Sequence, residues 1–166
     1  MKSSPCPYAR PVEAVLLCII CVFVLTACLL ALTPPIARDV LIHHLAIPKL
    51  WLIHGGFYDI PWAVYSYYPM NLELLYLIPL YFGNDIIPNF IHLGFGIGTA
   101  LMIYFYLKSR LNLMAGLLGF LIFISTPVIS KLSTMAYVDL GAVFFVTASI
   151  LSFIQWRDSK YDQSGW

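Results

Sequence analysis

The fold turns on the stretch "AVLLCIICVFVLTACLLALTPPIARDVLIHHLAIPKLW", Ala14 to Trp51. It opens with 24 residues, Ala14 to Ala37, that carry no charge. An acid, two histidines, a proline and a lysine then arrive together at Asp39, His43, His44, Pro48 and Lys49. About 20 apolar residues cross the hydrocarbon of a bilayer, so the first part reads as a membrane span. The second part reads as the polar boundary where that span ends.

The rest of the chain agrees. Hydrophobic residues make up 61% of it and charged residues 10%, against about 25% charge in soluble domains. So few charges cannot cover a chain of this length with polar surface, and lipid must solvate part of it. A net charge of +1 excludes the basic face that nucleic-acid binding needs. Cys18 and Cys21 form a CxxC among Leu, Ile and Val, with no second Cys or His pair beside it. They read as apolar filler, and no disulfide framework follows. "LTAC", Leu25 to Cys28, resembles a lipoprotein cleavage box. The apolar run continues past it, so an uncleaved helix is expected.

Four spans are expected in all. The first is Ala14 to about Leu32. The second lies in the 22 uncharged residues between Asp85 and Lys108, and the third in the 20 between Arg110 and Lys131. The fourth runs from about Ala136 to Trp156, with Asp139 near its start. Two shorter pieces, Asp39 to His54 and Leu74 to Asn84, read as juxtamembrane helices in a large first outer loop, residues 33–85. Pro48 is expected to break the first piece, and Gly55-Gly56 to close it. The fold class is therefore all-α, a polytopic membrane helical bundle, with residues 1–166 as a single membrane domain.

Positive charge sets the orientation. Lys2, Arg10, Lys108, Arg110, Arg157 and Lys160 fall on one side, and Arg38, Lys49 and Lys131 on the other. Both termini are expected in the cytoplasm of a cell whose inner membrane holds the protein. The acids lie the other way, with Asp39, Asp59, Glu73, Asp85 and Asp139 in the outer loop or at outer span ends. Asp39 and His43, four apart, would share one face of an α-helix, with His44 pointing elsewhere. Asp39 also suits a helix start. Two ligands at that spacing are half a metal site, and no metal site is assigned. Glu73 and Asp139 leave an oxygen-rich divalent-cation site open. The loop's tyrosines and Trp62 suit the headgroup level. Gly94, Gly96 and Gly98 suit close helix packing in lipid, and His92 in the same span is expected to find a partner in the bundle.

Together, "RDVLIHHLAIPKLWLIHGGF", "YSYYPMNLELLYLIPLYFG" and "STPVISKLSTMAYVDLGAVFF" resemble the start of bacterial membrane glycosyltransferases of the GT-C superfamily. Protein O-mannosyltransferases and the aminoarabinose transferase of lipid A are among that superfamily's members. Asp39 falls on the first-loop acid, His44-Leu45 on a Tyr-His-Leu, and Pro48-Lys49-Leu50 on a Pro-Lys-Leu. Tyr68-Pro69 and Glu73 fall on a Tyr-Pro…Glu element, and Tyr137-Val138-Asp139 on a Tyr-Val-Asp. Two positions depart: His43 stands where the pattern has Tyr, and Arg38 where an aromatic is common.

The resemblance implies transfer of a sugar from a polyprenyl-phosphate carrier to an acceptor at the outer face of the membrane. Asp39 would be the general base, and His43, His44, Lys49, Tyr68, Glu73 and Asp139 would bind substrate. Such enzymes carry more than twice as many spans, so the chain is expected to be the N-terminal portion of a transferase. It is expected to be inactive alone and to have a missing C-terminal segment as partner. Two other classes remain: a non-catalytic four-span scaffold, and a transporter piece using Asp39, His92 and Asp139 as pathway groups.

Overall fold

A computed structural model describes residues 9–163. Its described residues form helices and turns, in the order α1 (Ala9–Ala31), α2 (Ala46–His54), α3 (Glu73–Tyr81), α4 (Ile87–Arg110), α5 (Leu113–Ser125), α6 (Pro127–Leu132) and α7 (Asp139–Gln163). Three stretches, Arg10–Ala31, Ile87–Arg110 and Asp139–Ser159, are helical, long and apolar enough to cross a membrane. The side chains of Lys2 and Lys160, expected at the termini, lie outside those described.

The segment between Arg110 and Lys131 is not one long helix. α5 is 13 residues and α6 only 6, with Thr126 extended between them at φ −60°, ψ 123°. Pro127 is the cause: it lacks an N–H, and its ring drives the preceding residue out of the helical region. Hydroxyls occupy carbonyls that the break releases. Thr126 Oγ1 donates to Ile122 O at 2.8 Å, and Ser130 Oγ donates to Ile124 O at 2.6 Å. In lipid such groups have no water to turn to. α5 starts cleanly because the Asn112 side chain accepts a bond from Ala115 N at 2.9 Å.

α4 is the central helix, packed against α5 on one side and α7 on another. Leu16 and Ile20 of α1, Ala100 of α4, and Leu117 and Phe120 of α5 form the bundle core. Small residues set the approach. A Cβ at Gly116 would sit 2.8 Å from the Tyr104 carbonyl oxygen, and one at Gly98 2.8 Å from the Phe144 ring. Gly96 likewise faces Leu140, whereas Gly94 faces open space. Large apolar side chains of α1 such as Val15, Val22, Leu25 and Leu29 are exposed along its outer face, as lipid contact requires.

Two side chains tie the elements together at one end. Asn89 Nδ2 donates to Ala31 O at 3.1 Å and to Thr33 O at 3.3 Å, joining the end of α1 to the start of α4. Buried His92 donates from Nδ1 to Leu132 O and accepts at Nε2 from Leu140 N, both at 3.0 Å. It joins α4, α6 and α7, and supplies a partner to one of the orphan N–H groups that open α7. We call this the cavity end. At the opposite, basic end, Arg110 meets Asp158.

The long connection between α1 and α4 folds over the cavity end. Its first break lies earlier than Pro48. Val40–His44 is a π-helical turn, closed by Leu45 N donating to Val40 O at 2.9 Å, and α2 begins after it. Pro48 sits in the first turn of α2, where the missing N–H costs nothing. Gly55 ends α2 in the left-handed region at φ 81°. Val40, Leu45, Leu72, Tyr76, Leu80 and Ala136 form one apolar cluster under this cover. Ile47, Trp51, Ile60, Ala63 and Met70 form a second.

Candidate functional site

A cavity of about 320 Å³ opens at this end. Asp39, His43 and His44 line it from the π turn, Tyr65 to Glu73 supply a second wall, and Tyr137 and Val138 a third. Five of the seven residues singled out in the sequence therefore meet: Asp39, His43, His44, Tyr68 and Glu73.

The π turn changes what adjacent histidines do. On an α-helix His43 and His44 would diverge, and His44 was expected to point away from Asp39. The wider turn brings all three to the same cavity. Such turns often occur at functional sites. Among the described residues no hydrogen bond joins Asp39 to His43, and Asp39 makes no capping bond; it is exposed at the cavity wall.

His44 Nδ1 lies 2.9 Å from Glu73 Oε1, with the two side chains 17% and 7% exposed. Glu73 opens α3, where the helix dipole favours its negative charge. The His43 ring lies against that of Tyr65, tilted by 45° with centroids 3.8 Å apart, and its Nδ1 is buried without a partner. Tyr65 meets Tyr68 edge-on at 5.6 Å, and Tyr137 presents an edge to His44 at 5.7 Å. The Tyr76 hydroxyl donates to Tyr137 O at 2.5 Å, fixing the third wall from behind.

Carboxylates shape the local field. Burial raises the Tyr137 phenol above its ordinary value, with Asp39 and Asp139 adding to the shift. Burial, then Glu73 and Asp139, raise Tyr76 likewise. Asp139 is exposed at the start of α7, beside the cavity rather than in its wall. Lys49 also stands outside the wall. Its Nζ donates to Asp85 at 2.6 Å, with both side chains about 40% exposed. The cavity wall carries no Lys or Arg. Among the described residues, no three His, Cys, Asp or Glu side chains are grouped to hold a metal ion.

Tyr65 and Tyr76 were not among the site residues singled out in the sequence, and Tyr137 was named only within the Tyr-Val-Asp match. Tyr76 carried a signal, because it lies three residues after Glu73 on α3 and so shares its face. Tyr65 carried none beyond belonging to an aromatic-rich stretch. Comparison with protein-family models, curated proteins and solved structures finds no match for the chain.

Proposed function

We propose that this chain is part of a membrane glycosyltransferase of the GT-C kind. It would move a sugar from a polyprenyl-phosphate carrier to an acceptor at the outer face. The observation that carries the reading is the meeting of Asp39, His43, His44, Tyr68 and Glu73 around one cavity at a single end of the bundle. These residues are scattered over 35 positions, and a scaffold has no use for their convergence.

Asp39 is the proposed general base, exposed at the wall and free of a capping bond. It takes the acceptor's hydroxyl proton as the oxygen attacks the anomeric carbon. An apolar cavity of about 310 Å³, lined by Phe23, Leu30, Ile97 and Ile129 among others, suits the carrier's prenyl chain. It lies in the half of the bundle nearest the first cavity. The leaving phosphate needs compensating charge. The wall has no Lys or Arg, so that charge would come from a further segment, a separate chain or a divalent cation.

Four crossings are proposed, α5 and α6 together making the third. Gly116 of α5 faces Tyr104, and Leu132 at the end of α6 meets His92, so the pair follows α4 for most of its length. The basic end is assigned to the cytoplasm. In a cysteine-free background, Asp59→Cys should react with an impermeant thiol reagent from outside and Ser109→Cys should not. The reverse pattern would sink the orientation.

The function is tested in membranes of the producing cell. Transfer from polyprenyl-phosphate sugars to membrane acceptors should vanish when the gene is deleted. Asp39→Asn should restore it about 10²–10⁴-fold less well than wild type. Transfer unchanged by the deletion, or full activity of Asp39→Asn, would refute the proposal.

A further inference from the structure

We infer that His44, oriented by Glu73, is a second proton acceptor in this cavity, with Nε2 as the accepting atom. Three observations combine. The first is the pairing of His44 Nδ1 with Glu73 Oε1 at 2.9 Å, the carboxylate being almost wholly buried. An ionised carboxylate accepts only, so Nδ1 must carry a proton, and in the neutral imidazole Nε2 then carries the lone pair. The second is that Nε2 has no hydrogen-bond partner among the described residues, yet is not among the buried unpartnered atoms. It is therefore open, on a ring that lines the cavity. The third is the π turn, which aims His44 at the cavity instead of away from it.

The arrangement works as a carboxylate–imidazole pair. Glu73 is the positioning residue: it fixes the tautomer and ring orientation, and it stabilises the imidazolium that forms when Nε2 takes a proton. His92 shows the contrast. Both of its ring nitrogens are already bonded to the backbone, so it has no nitrogen left for a ligand. The ligand class is a hydroxyl compound that is neutral or cationic, because the wall holds two carboxylates and neither Lys nor Arg.

The step rests on the glycosyl-transfer reading for its chemistry. The hydroxyl proton passes to Asp39, the general base proposed above, and on across the shared cavity to Nε2, as the acceptor oxygen bonds to the anomeric carbon. The bond from that carbon to the phosphate oxygen breaks, and its electron pair leaves with the phosphate. The Asp39 and His44 side chains line the same cavity, so losing either should lower transfer.

The pair itself can be tested without any transfer. Diethyl pyrocarbonate is attacked by an imidazole lone pair, releasing ethanol and carbon dioxide and leaving an ethoxycarbonyl group on the nitrogen. On the full chain in micelles, mass spectrometry should find His44 acylated, with His54, exposed at the end of α2, as internal reference. Glu73→Gln should slow His44 by at least about tenfold, since losing the orienting charge costs more than that in comparable pairs. His54 should be unchanged, and Glu73→Asp should recover part of the rate. Loosening of the loop would instead speed His44, so the sign separates positioning from damage. Nitrogen-15 spectra of the wild-type chain should show His44 protonated at Nδ1 and bare at Nε2. Protonation at Nε2 alone, or a rate at His44 that Glu73→Gln leaves unchanged or raises, would overturn the inference. In the membrane assay, His44→Gln should lower transfer at least about 10²-fold, and transfer indifferent to it would overturn the catalytic role. The expected acylation pattern without any chain-dependent transfer would support the pair and refute the glycosyl-transfer reading.

Discussion

The two ends of the bundle treat charge in opposite ways. At the basic end Arg110 and Arg157 both meet Asp158, and all three side chains are a third to a half exposed. At the cavity end Glu73 is buried against His44, and His92 is wholly buried between two backbone groups. Water screens the first set, and such pairs are worth little. Burial shields the second set from most of that screening, so a group there that loses its partner costs free energy. Residues held under that constraint keep one geometry, which a chemical site requires.

The contrast can be broken most directly at His92. His92→Leu keeps the bulk but leaves Leu140 N unpaired and takes one of two donors from Leu132 O, which also accepts from Met135 N. At about 1–3 kcal/mol for the stranded N–H and about 1 kcal/mol for the lost bond, the loss should be about 2–4 kcal/mol. Unfolding in mixed micelles measures it, and a change below about 1 kcal/mol would mean that the cavity end is as tolerant as the basic end. Tyr76→Phe is the next step down. It removes one donor from Tyr137 O and should cost about 1–3 kcal/mol.

Alkali sharpens the same point. Burial and nearby carboxylates hold the Tyr76 and Tyr137 phenols above the ordinary value of 10.0. The folded state then keeps protons that the unfolded state releases. This contribution is complete below the unfolded value and is lost as pH rises above it. Stability should therefore begin to fall as pH nears about 10 and keep falling above it, and Tyr76→Phe should flatten the slope. An unchanged slope would place Tyr76 in a less buried setting. The smallest effect belongs to the basic end. Asp158→Asn should cost under about 1 kcal/mol; a loss as large as that of His92→Leu would erase the distinction between the ends.

The path from sequence to site differed from residue to residue. Asp39 and Glu73 were legible because polar groups at the edge of apolar runs stand out, whereas Tyr68 was singled out only through the resemblance. His44 was legible as a residue but not in direction, because its direction depends on a π turn. That turn is a backbone choice made by packing Val40 and Leu45 into the apolar cluster with Tyr76, and no side-chain periodicity announces it. Lys49 was chosen for its charge, and its partner Asp85 lies 36 positions away, beyond what spacing conveys. Gly96 and Gly98 were expected to pack closely, yet Gly116, whose approach to Tyr104 is just as tight, passed unremarked within an apolar run.

What the sequence alone determined was the helical membrane class, the apolar stretches and the ends that carry acids and bases. These follow from local chemistry: the cost of charge in lipid and the fixed rise of a helix. The tertiary structure alone decided that Glu73 holds His44, that His92 joins three helices, and that α6 continues the path of α5 beside α4. Each depends on contacts between residues 12 to 48 positions apart. Such contacts arise only when helices pack, because bringing distant groups to within 3 Å of one another is the work of burial and not of any local preference.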